Sequence, residues 1–170
     1  MTSSTDASSI SKDELILIFR TGPVIYEYGG SKVVRVSDTL VLKAGRGMTP
    51  GEAKTQEFAY EQGVRVPQVH RILKAPLPVG YEDSEEDCWL MLMDFIPGEL
   101  LEQAWPSLTQ EQRLGLTKTI AQLIRRLQSV TLNDLPPGPV GADDDDVYQG
   151  PYFTHYGAGP FSSVADMEAW

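Results

Sequence analysis

The sequence predicts an α+β fold, in which an antiparallel sheet of about five strands and one main helix precede an incomplete helical portion. Two observations indicate the sheet: short apolar runs separated by turn residues fill positions 24–43, and a second pair of apolar runs lies at 69–75 and 88–93. The third observation is a change of period after Gly98, beyond which apolar residues recur at helical spacing.

These elements divide the chain into three segments. We expect an N-terminal tail with a short helix at 1–21, a sheet-bearing lobe at 22–96, and the beginning of a second, helical lobe at 97–170. With 170 residues, the chain has room for one domain or two small lobes. Its hydrophobic content of 41%, with 15 Gly and 12 Pro, is ordinary for a globular protein.

Charge and cysteine content narrow the classes of partner and compartment. The net charge of −10 opposes sequence-independent binding to nucleic-acid phosphates, so we expect no nucleic-acid partner. A single cysteine, Cys88, cannot form an internal disulfide. The first residues lack the features of a signal peptide, and the longest apolar runs, 15–19 and 89–93, are far shorter than the ~20 residues of a membrane helix. We therefore expect no membrane span and a cytoplasmic location.

The first elements are marked by caps and turns. Ser11, with Glu14 three positions later, predicts a capped helix that ends near Arg20, before a Gly-Pro pair. Three strands should follow at 24–28, 32–36 and 40–43. Gly29-Gly30-Ser31 and Ser37-Asp38 supply the turns of an antiparallel meander.

The main helix of the sheet-bearing lobe begins after Thr49. Pro50 at its first position and Glu52 three residues after the cap predict a helix that runs to about Gln62 and ends at Gly63. The strands at 69–75 and 88–93 should then pair, with the polar stretch 76–87 as a solvated hairpin tip.

The second lobe should contain a long helix at 109–129, capped by Thr109 with Gln112. Its apolar residues lie at helical spacing and form a stripe that must be buried against another surface; they are Leu116, Ile120, Leu123, Ile124 and Leu127. Residues 131–160 are rich in Pro, Gly and Asp, which predicts a long irregular connection. Ser163 with Asp166 begins one more helix, which we expect to be interrupted because only about seven residues remain.

Lys43 is the strongest candidate for chemistry. A strand-borne ammonium can lie over a cleft and neutralise the phosphates of a nucleotide while a carboxylate on a neighbouring helix fixes its position, and Glu52 is placed to be that carboxylate. A purely structural interpretation has equal weight. In that interpretation, Glu52 only closes a capping box onto Thr49, and Lys43 ends a strand in solvent.

The order of these pieces resembles the aminoglycoside phosphotransferase and choline kinase family, especially its fungal members. The resemblance covers about residues 22–170 and is specific as an ensemble, although each piece alone is weak. The matching pieces are Val41-Leu42-Lys43, Gly51-Glu52-Ala53, 64–67, 89–98, 100–108 and 159–164.

The resemblance implies a kinase-like N-lobe and an ATP site. It makes Lys43 the phosphate-binding lysine and Glu52 its ion-pair partner. Asp94, Phe95 and Ile96 become the hinge whose backbone groups meet adenine. Gly29 and Gly30 occupy the place of a glycine loop, but without its usual spacing, so a plain hairpin turn competes with phosphate contact there.

The resemblance also shows what is missing. In the family a His-Gly-Asp loop supplies the catalytic Asp and a metal-binding Asn, and a later Asp holds Mg²⁺; the sequence has no counterpart, so no catalytic residue is assigned and the Mg²⁺ site is incomplete. We interpret His70 and His155 as structural or surface residues, and the acidic run 143–146 as a solvated loop rather than a metal site.

Three functional hypotheses follow. The first is a phosphotransferase-like protein that lacks the catalytic loop, binds nucleotide weakly at most, and is inactive alone. The second is a non-catalytic interaction module that docks through the apolar stripe of helix 109–129, by self-association or onto a protein partner. The third is a fragment of a longer gene product.

Overall fold

The protein is described by a computed structural model covering residues 6–45, 47–78, 85–130, 137, 158–159 and 161–170. Its centre is a five-stranded antiparallel sheet in the order β1-β2-β3-β5-β4, which confirms the predicted α+β class. The strands are β1 (Val24–Tyr28), β2 (Ser31–Arg35), β3 (Leu40–Gly45), β4 (Val69–Pro78) and β5 (Glu85–Asp94). The helices are α1 (Lys12–Thr21), α2 (Pro50–Glu61), α3 (Leu101–Ala104), α4 (Gln110–Gln128) and α5 (Val164–Ala169), with a 3₁₀ turn at Trp105–Ser107.

The helices begin where the capping residues predict. The side chains of Ser11, Thr49 and Thr109 each accept a hydrogen bond from a backbone N–H in the first turn of α1, α2 and α4. At Thr109 the bond is reciprocal, because Gln112 reaches back to the backbone of Thr109. Helix α2 ends before Gly63, whose φ of 70° is a left-handed conformation that suits glycine.

Alternation along the strands gives the sheet two different faces. One face packs against α1 and forms the main core, and we call it the core face. Its largest fully buried side chains include Leu15, Phe19, Val34, Leu42, Leu77, Leu90 and Leu92. The other face carries Lys43 and packs against part of α2 through Met48, Ala53, Val69 and Met91. We call this second surface the open face.

The hairpin of β4 and β5 is longer than the sequence analysis predicts. The predicted strand 69–75 continues to Pro78, and the predicted strand 88–93 begins at Glu85. Ala75 and Leu77 alternate into the core, which holds the strand together, and β4 is an edge strand, where proline is tolerated. Part of the predicted acidic tip therefore belongs to β5.

The segment after β5 is helical, as predicted, but it contains the short α3 and the 3₁₀ turn that the sequence did not indicate. Within the described part of the chain, α4 buries none of its residues, and Leu114, Ile120, Leu123, Ile124 and Leu127 are exposed. None of the helices among the described residues is both long and apolar enough to cross a membrane.

Candidate functional site

Lys43 lies in the middle of β3, at the centre of the sheet. Its backbone is paired with Val33 on β2 and with Met91 on β5. The strand continues for two residues beyond it, so Lys43 does not end a strand in solvent. Its side chain is 27% exposed on the open face. This position restricts the directions in which the ammonium can point.

Helix α2 brings Glu52 to Lys43. Thr49 accepts a hydrogen bond from the Glu52 backbone N–H and fixes the first turn, while the Glu52 carboxylate remains available and forms an ion pair with the Lys43 ammonium. The backbone of Glu52 therefore contributes to the start of the helix, and its side chain pairs with Lys43. The two functional candidates are brought together, as the sequence-based pairing requires.

Apolar side chains extend the open face from Lys43 towards the end of β5. Val33, Val41 and Met93 share this face because they alternate with core-face residues and pair across the strands. Val41 is buried, whereas Val33 and Met93 are partly exposed. The surface next to Lys43 is therefore an apolar strip with the Lys43 ammonium at one end.

The hinge segment 94–96 lies at the other end of that strip. The N–H of Asp94 donates to the Gln68 carbonyl at 3.0 Å, and the N–H of Phe95 donates to the Thr39 carbonyl at 2.7 Å. Ile96 is exposed, and among the described residues its N–H has no hydrogen-bond partner. Of the three hinge amides, that of Ile96 is the donor open to a ligand.

The Asp94 side chain has a different environment from its backbone. Asp94 pairs with Leu40, so its carboxylate lies on the core-face side of the sheet and not beside Lys43. One carboxylate oxygen lies 2.7 Å from His70 Nε2, and the other accepts the Gln68 N–H at 3.1 Å. The sequence predicts a structural or surface role for His70 and gives no sign of its link to Asp94, because that link depends on strand register.

Arg35 is a second residue that the sequence analysis missed. Its guanidinium carbon lies 3.5 Å from the centre of the Phe95 ring, and its donors reach the carbonyls of Ser37 and Asp38. This cation–π contact attaches the hinge to the β2–β3 turn. Sequence spacing alone gives no signal for a contact between residues sixty positions apart.

Gly29 and Gly30 form the two-residue turn between β1 and β2. Their φ angles are 59° and 81°, which is the combination that a tight type I′ hairpin requires and that glycine adopts without strain. The turn lies beside Gly45, at the end of β3 that follows Lys43. The backbone accounts for both glycines as turn residues, and phosphate contact by them stays a prediction.

A shallow groove of about 430 Å³ lies along α2 and includes its cap residue, Thr49. It is lined mainly by apolar surface of Thr49, Gly51, Thr55, Gln56, Ala59 and Val66, together with Glu52. Lys43 and the hinge do not line it. The groove therefore shares Glu52 with the ion pair, and its lining residue Gln56 contacts Met93 of the apolar strip, with Gln56 Nε2 3.5 Å from Met93 Sδ.

Metal-ligating side chains do not converge in the described residues: no group of three or more His, Cys, Asp or Glu is placed to hold an ion. The acidic run 143–146 and His155 lie outside the residues that the structure describes. Within the described residues, the charge beside the apolar strip comes from the Lys43–Glu52 ion pair.

Comparison with known proteins gives one match. The model of a family described as a phosphotransferase enzyme family matches residues 29–157, which is more than half of the 170 residues. The matched range begins at the glycine turn and includes Lys43, Glu52 and the hinge. No curated protein and no solved structure matches the chain.

Proposed function

Because the chain belongs to the phosphotransferase enzyme family, we propose that its sheet-bearing lobe binds ATP on the open face, in the manner of a kinase N-lobe. The phosphates lie at Lys43 and the base lies against the hinge. The single observation that carries the proposal is the ion pair between Lys43 and Glu52 at one end of an apolar strip that ends at the hinge.

Electrostatics favour phosphate at Lys43. The ammonium is partly desolvated and already oriented by the Glu52 carboxylate, so it loses less conformational freedom when an anion arrives than a free surface lysine does. The rest of the chain carries an excess of acid, with a net charge of −10. A polyphosphate is therefore attracted to a specific local cation and not to the protein as a whole.

The hinge suits a flat heterocycle. Val33 and Met93, which are partly exposed on either side of the buried Val41, supply apolar surface for a base, and the Ile96 N–H supplies a donor for a ring nitrogen. The amides of Asp94 and Phe95 are already used within the protein. Base recognition through the backbone would therefore depend on Ile96 more than on its two neighbours.

Binding and catalysis separate in this proposal. The sequence contains no His-Gly-Asp segment, and phosphoryl transfer depends on positioning by such a loop and on charge neutralisation by a metal. The 170 residues therefore hold nucleotide weakly and do not transfer phosphate by themselves.

The fungal subgroup of the aminoglycoside phosphotransferases is the part of the family that the sequence pieces resemble most. A cytoplasmic location suits both the ligand and the single cysteine.

Calorimetric titration with ATP tests the proposal. We expect wild-type protein to bind ATP and Lys43→Ala to bind it at least tenfold more weakly, because the phosphates lose their cation. Lys74→Ala is the matched control: Lys74 also lies on a strand and is 3.9 Å from a carboxylate, that of Asp87, but it belongs to the edge strand β4. This control should bind ATP as the wild type does.

Two results would contradict the proposal. Equal ATP affinity of wild type and Lys43→Ala would show that Lys43 is not part of the site. An equal loss of affinity in Lys43→Ala and Lys74→Ala would show that the loss depends only on the net charge of the protein. Release of phosphate from ATP with Mg²⁺, measured on the same samples, should not exceed that of buffer. Turnover by the 170-residue protein would overturn the separation of binding from catalysis.

A second candidate function is an interaction module, and the exposed stripe of α4 favours it. Leu123, Ile124 and Leu127 lie on adjacent turns and are all exposed in the described structure. Apolar side chains clustered on one helix face mark a surface that is covered in a complex. Sedimentation at increasing protein concentration distinguishes a self-associated protein from a monomer. Association that Ile124→Glu abolishes supports the interaction module, whereas a monomer at all concentrations contradicts self-association.

A further inference from the structure

A bulge in β4 places His70 outside the regular ladder. Val69 pairs with Met93 and Arg71 pairs with Leu92, so His70 is an extra residue between two consecutive pairs. Such bulges bend the strand and redirect the side chain of the inserted residue. Here the redirected imidazole reaches the carboxylate of Asp94, the last residue of β5.

The Asp94 carboxylate is held at both oxygens by one segment of the neighbouring strand. His70 Nε2 lies 2.7 Å from one oxygen, and the Gln68 N–H donates to the other at 3.1 Å. Because a carboxylate only accepts hydrogen bonds, His70 Nε2 carries the proton of this contact. Hydrogen bonds to an ionised carboxylate are stronger than those between neutral groups.

The backbone of the same residue is held as well. The Asp94 N–H donates to the Gln68 carbonyl, so backbone and side chain together make three contacts with the 68–70 segment. The next residue is held from the other side of β5, because the Phe95 N–H donates to the Thr39 carbonyl. The chain therefore leaves the sheet between two anchors, immediately before the open amide of Ile96.

None of these contacts faces the proposed ligand directly. The Asp94 carboxylate lies on the core-face side, opposite to Lys43, because Asp94 pairs with Leu40. We propose that His70 and Asp94 are positioning residues, which fix the Ile96 amide for the base from behind the sheet. This inference rests on the proposed function and assigns to His70 a role in base affinity and none in phosphate affinity.

The alternative is that the pair only stabilises the hairpin. A purely structural contact would lower the stability of the fold and would weaken every ligand of the open face to a similar extent. A positioning role predicts different effects on two kinds of ligand. A nucleotide loses affinity, whereas a phosphate chain without a base does not. Inorganic tripolyphosphate is the probe for this difference, because it reaches Lys43 and has no group for the hinge.

The experiment measures the affinities of the 170-residue protein for ATP and for tripolyphosphate in four forms. We expect His70→Leu to bind ATP about tenfold more weakly and tripolyphosphate within twofold of wild type. His70→Gln should recover most of the ATP affinity, because its side-chain amide can donate to Asp94. Lys43→Ala should weaken both ligands, which identifies the phosphate end independently.

The outcomes separate this inference from the proposed function. If wild type binds neither ligand, the nucleotide site itself is wrong and the positioning role falls with it. If wild type binds both ligands in a Lys43-dependent way and His70→Leu binds ATP normally, or loses both ligands equally, the nucleotide site stands and the positioning role is wrong. Failure of His70→Gln to improve on His70→Leu also contradicts it.

Amide hydrogen exchange gives a second measurement that needs no ligand. In His70→Leu the Asp94 and Phe95 amides should exchange about tenfold faster, since the hinge opens locally, while the amides of Leu42 and Leu92 in the sheet centre keep their wild-type rates. Unchanged exchange at Asp94 and Phe95, or a uniform increase over the whole sheet, would overturn the inference even if the variant is less stable.

Discussion

The two faces of the sheet are built from the same strands and have opposite properties. On the core face, Leu42, Leu90 and Leu92 are fully buried and packed with α1. On the open face, the adjacent positions Lys43 and Met93 remain partly exposed, and α2 covers only part of the surface. A shift of one position along a strand moves a residue from one environment to the other.

This difference separates stability from binding at neighbouring residues. Leu42 has no exposed surface through which it could contact a ligand, whereas Lys43 is partly exposed and carries its ammonium on the open face. The core face holds the strands in register, and the register in turn places Lys43, Val41 and Met93 in one strip. Substitutions on the two faces should therefore have effects of different kinds, and the following predictions test this.

The largest effect is expected from Leu42→Ala. Removal of a fully buried leucine from a core costs about 3–4 kcal/mol of unfolding free energy, because it leaves a cavity. Urea denaturation measures this loss, and the protein that remains folded should bind ATP with wild-type affinity. Leu127→Ala on α4 is the matched control, because that leucine is 53% exposed and should lose less than about 1 kcal/mol. Equal losses at the two positions would contradict the assignment of the core face.

Glu52→Gln should affect binding and hardly affect folding. The ion pair is partly exposed, so its loss costs about 0–1 kcal/mol of stability. The Lys43 ammonium would no longer be oriented, and we expect about a tenfold loss of ATP affinity by calorimetry, which corresponds to about 1.4 kcal/mol. Glu57→Gln, at an exposed position of the same helix, should bind ATP normally. A larger effect of Glu57→Gln than of Glu52→Gln would contradict the role of the Lys43–Glu52 ion pair in binding.

Thr49→Ala tests how the start of α2 supports the open face. The substitution removes the side-chain oxygen that accepts the Glu52 N–H and should lower stability by about 1 kcal/mol. Thr49→Ser retains the acceptor and should restore most of that stability in thermal denaturation. If Thr49→Ser is as unstable as Thr49→Ala, the hydroxyl is not what fixes the helix.

The smallest effect is expected from Arg35→Met. This variant keeps an unbranched apolar stem over Phe95 and loses the cation–π contact and the bonds to the turn carbonyls, for a cost of about 0.5–1 kcal/mol. Arg35→Lys retains the charge but not the planar fork, so its stability in urea should lie between that of Arg35→Met and wild type. A fully stable Arg35→Met would show that the contact with Phe95 does not hold the hinge.

Local patterns predicted most of the fold. The caps at Ser11, Thr49 and Thr109 and the glycine turn act through neighbouring residues, so the sequence displays them directly. The ends of β4 and β5 were missed because Pro76 is a local signal against a strand, whereas the burial of Ala75 and Leu77 and the edge position of β4 are properties of the assembled sheet.

The residues of the candidate site also fall into those that the sequence reveals and those that only the structure reveals. Lys43 and Glu52 are nine residues apart on a strand and the helix that follows it, so their pairing could be predicted from the order of elements. The contacts of His70 with Asp94 and of Arg35 with Phe95 join distant segments and depend on a bulge and on strand register. The sequence shows neither feature, and these residues could be found only from the structure.

Methionine-methyl NMR tests most directly whether the open face is the nucleotide site. Met93 lies on that face next to the hinge and is partly exposed, whereas Met167 lies on α5 and provides an internal control. We expect ATP and adenosine both to shift the Met93 methyl signal in wild-type protein, because the base lies against it, and to leave Met167 unchanged. An unchanged Met93 signal at saturating ATP would contradict nucleotide binding on the open face.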